Sequence, residues 1–309
     1  MVMAEIKRHL HGAKGDVRRL FHGRSGLFPG WENWVVDWFP PVAVIRLYQP
    51  ADRAEVDALA DALSALPEVA AVVLQERYVA KGADHSVLKG EVPVSIQVQE
   101  DGLHFEVKLL NNQNSGLFLD MREGRRWVRH QAANKRVLNL FAYTCGFSVA
   151  AVAGGATSVV NLDMSSGALN VGRVNHRLNG HALDSVRFMS HDLFRSWGKL
   201  KKMGPYDLVI IDPPSYQKGS FVAGKDYQRV LARLDSLTVP GAQVLVCHNA
   251  PQQDTRFLQQ LMLTHCPEFV FDKRLENPDD FPERDSEKGL KALVYRKRDS
   301  GEGEQCAWS

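Results

Sequence analysis

Long apolar runs are missing from this sequence of 309 residues. No stretch reaches the roughly 18 consecutive apolar residues that a membrane-spanning helix needs. The opening residues MVMAEIKR also lack the apolar core of a signal peptide. We therefore expect a soluble, cytoplasmic protein that has no membrane partner.

Paired cysteines are missing as well. The four cysteines, Cys145, Cys247, Cys266 and Cys306, form no CxxC motif. The sequence therefore indicates neither a zinc ribbon nor a disulfide framework. We expect reduced thiols and no bound metal.

The glycine-rich fingerprint GxGxxG of dinucleotide-binding folds is also absent. Gly146 is the only glycine between Val137 and Ala153, so no loop that cradles a pyrophosphate can be drawn there. This absence argues against a nicotinamide oxidoreductase, whose cofactor has a pyrophosphate to hold at a helix N-terminus.

Two short segments about 70 residues apart carry the strongest positive signal. They read VLNLFAYTCGFS over 137–148 and LVIIDPPSY over 208–216. Each is an apolar strand that runs into a turn with special backbone needs, and ligands in open parallel sheets bind at such turns. Together the segments indicate a nucleoside-containing cofactor.

The first 115 residues have the pattern of a small α+β lobe. Two apolar segments on either side of Pro40-Pro41 predict strands, 54–66 predicts a helix, and 71–75 predicts a further strand. Alternating residues over 94–98 and 103–107 flank Asp101-Gly102, which predicts a β-hairpin.

Residues 116–309 alternate between strand and helix patterns. We predict seven strands near 137–141, 158–162, 186–190, 207–211, 242–247, 268–272 and 291–296. Ser165 is a candidate cap for a helix that ends at Leu178, and another helix is predicted from Asp226 to Leu237, before Pro240-Gly241. This order predicts an α/β, Rossmann-like sheet with helices on both faces.

The charge is balanced overall but uneven along the chain. The net charge is only +2, whereas the first 25 residues form a basic arm with Lys7, Arg8, His9, His11, Lys14, Arg18, Arg19, His22 and Arg24 against Glu5 and Asp16. Two interpretations stay open: an arm that contacts RNA phosphates, or a solvated helix face or mobile terminus.

Several motifs together resemble a known family. They are LNLFAYTCGFS at 138–148, NLDMS at 161–165, NHRLN at 175–179, HDLF at 191–194 and DPPSY at 212–216, with QNSGLFLDMR at 113–122 and GLFPG at 26–30 upstream. The chain resembles class I S-adenosylmethionine-dependent methyltransferases, and more narrowly the bacterial 23S ribosomal RNA methyltransferases of the cytosine-C5 and guanine-N7 types. The resemblance implies a seven-stranded methyltransferase domain, S-adenosyl-L-methionine as cofactor and ribosomal RNA as substrate.

The resemblance also assigns roles to residues. It implies that the methionine end of the cofactor lies at Phe141, Ala142, Tyr143 and Thr144, the ribose at Asp163 and Ser165, and the adenine at Asp192 and Leu193. Gly146 would let the turn approach the ligand, and Asp212, Pro213 and Pro214 would form the place of reaction. Phe118, Asp120 and Arg122 resemble a segment that closes over the cofactor.

Simpler roles are open for some of these residues. Asp163 lies about 22 residues beyond Phe141, near the offset at which an acidic residue meets ribose hydroxyls in dinucleotide folds. Asp163 and Asp192 are equally candidates for helix N-caps. Phe118 and Phe141 are candidates for core aromatics.

The acceptor atom stays open at this point. Cytosine C5 is too weak a nucleophile and needs a cysteine to add to the ring first, which directs attention to Cys247. The cytosine-type relatives have Ser-Cys-Ser there, whereas this chain has Val-Cys-His-Asn over 246–249, so a buried small hydrophobe is the alternative. Guanine N7 needs no covalent catalyst, and Asn249 and Tyr216 would then only orient the base, with His248 as an assistant or a surface residue.

Recognition of RNA is the least determined feature. The cytosine-type relatives usually have an RNA-binding module before the segment that matches 26–30, and only about 25 residues precede it here. One option is that the basic arm and the lobe recognise RNA. Lys218, Lys225 and Arg229 would belong either to a phosphate-facing loop hinged at Gly219 and Gly224 or to a solvated loop. The alternatives are a protein or small-molecule substrate, or a catalytically idle RNA-binding factor. A homodimer is compatible with the sequence.

Overall fold

The structure, a computed structural model, describes residues 1–79, 83–110, 113–214, 216–217 and 221–299. The chain divides into two compact units. Unit 1 contains Met1–Arg122 and Asn277–Asp285, and unit 2 contains Glu123–Glu276 and the described residues from Ser286 onward.

Unit 1 is built around an open sheet and a separate hairpin. Its helices are α1 (Val2–Ala13) and α2 (Arg53–Ser64), and its strands are β1 (Arg18–His22), β2 (Trp34–Phe39), β3 (Val42–Leu47), β4 (Ala71–Glu76), β5 (Asp84–Lys89), β6 (Ile96–Glu100) and β7 (Leu103–Val107). Strands β1 to β5 pair in chain order; β3 and β4 are parallel and the other pairs are antiparallel.

The strands predicted around Pro40-Pro41, near 71–75 and in the hairpin are present in unit 1, whereas β1 and β5 were not predicted. The chain reverses between β6 and β7 at Asp101 and Gly102, whose φ angles are 51° and 77°. Both residues are thus left-handed, which suits the turn to the twist of a two-residue hairpin. The strands on either side of Pro40-Pro41 pair with each other as β2 and β3.

The basic N-terminal segment is part of the fold of unit 1. The apolar side chains of α1 are buried in the core beside β1 to β4, and β1 pairs with β2. The basic residues Lys7, His11 and Lys14 lie on the exposed side of this segment. The segment is thus an ordered helix and strand rather than a mobile terminus, and contact of its exposed basic face with RNA stays a prediction.

Unit 2 contains the larger sheet. Its strands are β8 (Arg136–Leu140), β9 (Ser158–Asp163), β10 (Val186–Ser190), β11 (Tyr206–Ile211), β12 (Tyr216–Gln217), β13 (Phe221–Val222), β14 (Thr238–His248), β15 (Phe269–Leu275) and β16 (Lys291–Lys297). Its helices are α3 (Arg122–Gln131), α4 (Gly146–Ala153), α5 (Ser166–Leu178), α6 (Trp197–Met203), α7 (Ala223–Leu231), α8 (Leu234–Leu237) and α9 (Thr255–His265).

Within the described residues, seven of these strands form one sheet in the order β10-β9-β8-β11-β14-β16-β15. The pairs from β10 to β14 are parallel, and β16 is antiparallel to both of its neighbours. All seven predicted strands are confirmed, and so is the Rossmann-like α/β fold. Hydrophobic periodicity located them well because central strands are buried on both faces and read as short apolar runs.

The sheet of unit 2 is buried on both sides. Alternate residues such as Leu138, Leu162 and Val209 pack in one core with apolar residues of α6 to α9. The residues between them, such as Val137 and Leu208, are fully buried too. No helix in the described ranges is long and apolar enough to cross a membrane.

Two boundaries differ from the prediction. The helix predicted from Asp226 to Leu237 is two helices, α7 and α8. Strand β14 begins at Thr238, before Pro240-Gly241, because Tyr206 pairs with Thr238 and the register then shifts so that Leu208 pairs with Gln243. The dipeptide therefore lies inside a bulged strand, where Pro and Gly are tolerated.

Candidate functional site

The predicted site residues of unit 2 meet at one edge of the sheet. In the register, Ile211 lies opposite Leu140, Leu140 opposite Leu162, and Asp163 opposite Ser190. The turns that follow β11, β8, β9 and β10 therefore lie side by side. Successive strands after β8 extend to one side and those after β11 to the other, so β8 and β11 flank the topological switch point where open α/β sheets bind ligands.

The turn after β8 has an unusual backbone. Phe141, Tyr143 and Cys145 have φ angles of 58°, 47° and 64°, although none is glycine. Left-handed non-glycine residues each cost free energy and cluster at ligand sites. Gly146 is the first residue of α4 and does not have a positive φ. Sequence reasoning placed the backbone freedom at Gly146, whereas the strain falls on its neighbours.

Residues of helix α5 support this turn. The side-chain amide of Asn175 donates to the carbonyl of Thr144 at 2.9 Å, and Asn175 is fully buried. Gly172 lies so close that a Cβ added there would come within 2.4 Å of Cys145 Sγ. Burial raises the pKa of the Cys145 thiol, so Cys145 serves as an uncharged packing residue. The sequence signal was the NHRLN motif, whose Asn175 supports the turn.

Asp163 connects two turns at the centre of the site. Its Oδ2 accepts from the backbone N–H of Tyr143 at 2.8 Å, and its Oδ1 accepts from that of Ser165 at 2.8 Å. The cap of α5 is Ser165, whose Oγ accepts from Ala168 N at 3.1 Å. Asp163 is therefore not the helix cap. Its half-buried carboxylate is fixed by backbone donors and keeps lone pairs for a further donor.

Asp192 does form a cap, and it lies beside the same edge. Its Oδ1 accepts from Phe194 N at 2.8 Å at the start of a short 3-10 turn, while Leu193 is buried in the core. The Asp192 side chain keeps 40% of its surface exposed. Capping thus leaves part of this carboxylate available to a ligand.

Asp212, Pro213 and Pro214 follow β11 on the other side of the switch point. Asp212 is half-buried, Pro213 is buried and Pro214 is exposed. Because Ile211 lies opposite Val246, the residues that come next, Asp212 after the end of β11 and Cys247 on β14, lie near each other. The structure thus brings the predicted place of reaction and the candidate nucleophile together, although the side chain of Cys247 is fully buried.

Sequence reasoning missed Tyr227, which joins these two strand ends. Its hydroxyl donates to the carbonyl of Cys247 at 2.7 Å and lies 3.4 Å from that of Ile211. Burial, together with the nearby Cys247 and Asp212, raises the pKa of Tyr227 well above its usual value. The hydroxyl therefore stays protonated and works as a donor. A tyrosine in the middle of α7 gave no signal for this role.

The residues after Cys247 are also fixed by buried polar groups. His248 is buried, and its Nε2 bonds to Gln253 Oε1 at 2.7 Å. Burial and Lys291 lower the pKa of His248, so the ring is neutral near pH 7. Lys291 donates to the carbonyl of Ala250 at 2.9 Å, while Asn249 is exposed at the strand end. His248 is thus a buried supporting residue rather than a surface histidine.

Phe118, Asp120 and Arg122 belong to unit 1. Arg122 is buried, and its guanidinium donates to Asp280 at 2.6 Å and to Asp279 at 2.9 Å. Phe118 is 42% exposed and precedes the 3-10 turn Leu119–Met121. The ion pairs give Arg122 a structural partner within unit 1, and the predicted contacts of the three residues with the cofactor stay a prediction.

Part of the predicted phosphate-facing loop lies outside the described residues. Ser215, Lys218, Gly219 and the side chain of Tyr216 are outside the described residues. Cys306, near the C-terminus, is outside them as well. Lys225 is exposed on α7. Arg229 pairs with Asp226 at 2.8 Å, and its guanidinium lies 3.8 Å from the ring centre of Phe194.

The groups at this edge of the sheet match those that S-adenosyl-L-methionine requires. The cofactor needs an acceptor for a ribose diol, a close backbone turn for its amino-acid end, and carboxylate or aromatic neighbours for the sulfonium. Asp163, the turn over 141–145 and Asp212 supply these groups at adjacent strand ends. No group of three or more His, Cys, Asp or Glu side chains in the described ranges is arranged to hold a metal ion.

Comparisons with known proteins show the family of the chain. The family described as S-adenosylmethionine-dependent methyltransferase matches residues 18–296. A ribosomal RNA large subunit methyltransferase of Deinococcus radiodurans is 36% identical over 209 residues, which are 65% of this chain and 50% of that protein. Ribosomal RNA large subunit methyltransferase I of Enterobacter sp. is 30% identical over 257 residues, 80% of this chain and 64% of that protein.

The chain spans between 50% and 64% of the length of these two relatives. Among solved structures, the crystal structure of SMU.776 complexed with SAH superposes with a TM-score of 0.85, covering 96% of this chain and 79% of that one at 22% identity. This likeness shows the fold. Because the family match extends over both units, we conclude that the chain belongs to the S-adenosylmethionine-dependent methyltransferase family.

Proposed function

We propose that this protein transfers a methyl group from S-adenosyl-L-methionine to a base of large-subunit ribosomal RNA. The observation that carries the proposal is the convergence of the turn over 141–145, Asp163, Asp192 and Asp212 at four adjacent strand ends. The relatives at 36% and 30% identity, which carry ribosomal RNA large subunit methyltransferase in their names, support the choice of substrate.

In this proposal the protein mainly positions its reactants. The cofactor supplies an electrophilic methyl group on a sulfonium, and methyl transfer is an in-line displacement that leaves S-adenosylhomocysteine. Asp163 accepts from the ribose hydroxyls, Asp192 with Leu193 borders the adenine, and the turn over 141–145 holds the amino-acid end. Asp212 and the two prolines form a rigid wall beside the methyl group, which orients the acceptor and excludes water.

Two acceptor chemistries are compatible with this arrangement. With cytosine C5, the thiolate of Cys247 would add to C6, C5 would take the methyl group, and loss of the C5 proton would expel the thiolate. Cys247 lies level with Asp212, which favours this route, but its burial requires the base to be inserted toward it. With guanine N7, the ring nitrogen attacks directly, and Cys247 remains a packing residue.

The function is tested with the purified protein and rRNA from cells that lack the gene. We expect one additional methylated nucleoside in the rRNA after incubation with S-adenosylmethionine, detected by mass spectrometry. Asp212→Ala should abolish it, whereas Asp272→Ala, which removes an exposed carboxylate from β15, should not. An unmodified rRNA with the wild-type protein would refute rRNA as substrate. Retained cellular function in Asp212→Ala would favour an idle assembly factor.

The acceptor atom is tested separately with RNA that contains 5-fluorocytosine. Fluorine at C5 prevents release of the enzyme after methyl transfer, so a covalent complex accumulates if Cys247 attacks C6. Cys247→Ala should abolish this complex. Methylation of the natural RNA without trapping would identify a nitrogen acceptor.

Location and assembly follow as part of the same proposal. Work on rRNA would place the protein in the cytoplasm. A homodimer would give twice the mass of the 34.6 kDa chain in light scattering.

A further inference from the structure

Four arginines surround one tyrosine in unit 1. The residues are Arg19, Arg24, Arg46 and Arg77 around Tyr48, and we refer to them as the Tyr48 cluster. None of them belongs to the methyl-transfer site described above.

The register of the sheet creates the cluster. Leu47 pairs with Glu76 at the carboxyl ends of the parallel strands β3 and β4, and the N–H of Arg77 donates to the carbonyl of Leu47 at 2.8 Å. Tyr48 and Arg77, which directly follow β3 and β4, therefore lie next to each other. The Arg77 guanidinium carbon lies 5.6 Å from the ring centre of Tyr48. That of Arg24, from the 3-10 turn after β1, lies 4.0 Å from it.

Carboxylates form ion pairs with only two of the four arginines, Arg19 and Arg46. Asp37 is fully buried and bonds to Arg19 Nε at 2.8 Å and also to Arg46 Nη1. Asp120 acts on Arg19 electrostatically as well. In contrast, among the described residues neither Arg24 nor Arg77 has a carboxylate oxygen within 4.0 Å of its guanidinium. The four guanidiniums thus outnumber the carboxylates of Asp37 and Asp120 two to one. The excess positive charge lies at Arg24 and Arg77.

The positive charge of the cluster affects the pKa values of Arg77 and Tyr48. Burial lowers the pKa of Arg77, and the nearby Arg46 and Arg24 add to this effect, whereas Tyr48 and Asp37 oppose it. Burial opposes ionisation of Tyr48, yet Arg77, Arg19 and Arg24 outweigh it and lower its pKa. Arg46 is only 8% exposed, and its Nε is buried without a hydrogen-bond partner in the described part of the chain. Desolvated cations in this situation gain free energy when an anion binds beside them.

The chemistry of the cluster favours a phosphate group. Guanidiniums present planar forks of donors that match phosphate oxygens in a bidentate manner. Tyr48 keeps two of these forks in place through cation–π contacts, so less conformational entropy is lost on binding. Because Arg24 is exposed and Arg77 half-buried, both are accessible to a phosphate on a chain running past the lobe.

We propose that the Tyr48 cluster is a docking site for the phosphodiester backbone of the substrate RNA, with Arg24 and Arg77 as the contacting residues. The inference rests on the proposed function for the identity of the polyanion. It gives unit 1 a role in RNA recognition that is carried by the arginines around Tyr48.

The test measures binding of a fluorescein-labelled single-stranded RNA by anisotropy between about 50 and 200 mM salt. Arg24→Ala/Arg77→Ala should bind about 100-fold more weakly, because each of the two charge-assisted bonds to phosphate is worth a factor of about 10. The slope of log K against log salt should become shallower by about 1.4, since each phosphate contact on a single strand contributes about 0.7. Arg24→Lys/Arg77→Lys should restore most of the slope, because lysine keeps the charge.

The matched control is Arg53→Ala/Lys89→Ala. It removes two charges of the same sign from the same unit, where they pair with Asp57 at 3.0 Å and Asp61 at 2.5 Å. The control should bind RNA like the wild type, and each variant should keep its wild-type affinity for S-adenosylmethionine. If the double alanine variant unfolds, the exposed Arg24→Ala alone should still make the slope shallower by about 0.7.

Two outcomes overturn the inference, and they are distinguishable. If the wild-type protein methylates rRNA and the folded Arg24→Ala/Arg77→Ala variant binds RNA with unchanged affinity and slope, the cluster only supports the fold of unit 1. If the wild-type protein neither binds nor methylates rRNA, the proposed function fails and this inference fails with it.

Discussion

Replacing Asp163 by asparagine tests the cofactor site at its best-defined group. Both carboxylate oxygens accept backbone N–H bonds at 2.8 Å, one from Tyr143 and one from Ser165. A side-chain amide at this position would keep one acceptor and turn an NH₂ group toward the other donor, which breaks one of the two bonds. It would also remove the negative charge proposed to face the ribose.

The expected loss follows from the strength of charged hydrogen bonds, about 1.5–3 kcal/mol each. Because Asp163 is half-buried and partly screened by solvent, we take the lower end. One lost bond to the ligand then weakens binding of S-adenosylmethionine about 10-fold, and disorder of the turn over 141–145 extends this toward 100-fold.

Isothermal titration calorimetry with S-adenosylmethionine and S-adenosylhomocysteine measures this loss directly. Asp184→Asn, which changes an exposed carboxylate in the loop before β10, is the matched control and should bind normally. Circular dichroism should show that both variants are folded. A folded Asp163→Asn protein with wild-type affinity for both ligands would refute the assignment of Asp163 to the cofactor.

Two further predictions concern the support of the turn and the effect of pH. Gly172→Ala would place a Cβ within 2.4 Å of Cys145 Sγ; we expect a loss of about 1–3 kcal/mol in stability and weaker cofactor binding, partly recovered by adding Cys145→Ala, as chemical denaturation and calorimetry would show. Burial, and then His181, lowers the pKa of His176 to about 4. The unfolded chain protonates His176 near pH 6.5, whereas the folded chain does so only near pH 4. The free energy of unfolding therefore has its full value above pH 6.5 and decreases as the pH falls to about 4. The loss is about 3 kcal/mol, and His176→Gln should flatten the denaturation profile over this range.

The strands of unit 2 could be predicted from the sequence because their signal is local. Buried parallel strands read as short apolar runs, and all seven runs became strands of one sheet. The break between α7 and α8 and the early start of β14 could not be predicted. The early start of β14 depends on pairing with a distant strand, as the contact of Thr238 with Tyr206 shows.

The candidate site could be predicted where a motif contains a polar residue at the end of a strand. Asp163, Asp192 and Asp212 follow three separate strands, and only the register shows that these strands are neighbours. Supporting residues were missed because their roles depend on contacts between distant segments. Tyr227 is one example, since its hydroxyl bonds to the carbonyl of Cys247 from a helix 20 residues earlier in the chain.

The sequence by itself determined the seven strands of the unit 2 sheet, and its turn motifs indicated a nucleoside-containing cofactor, because apolar periodicity and turn chemistry act over a few residues. Only the tertiary structure decided that the left-handed strain lies on Phe141, Tyr143 and Cys145 rather than on Gly146, and that Arg122 pairs with Asp279 and Asp280. It also decided that Arg24 and Arg77 converge on Tyr48. These features arise from packing between segments far apart in the chain, where the burial of one side chain fixes the conformation or charge of another.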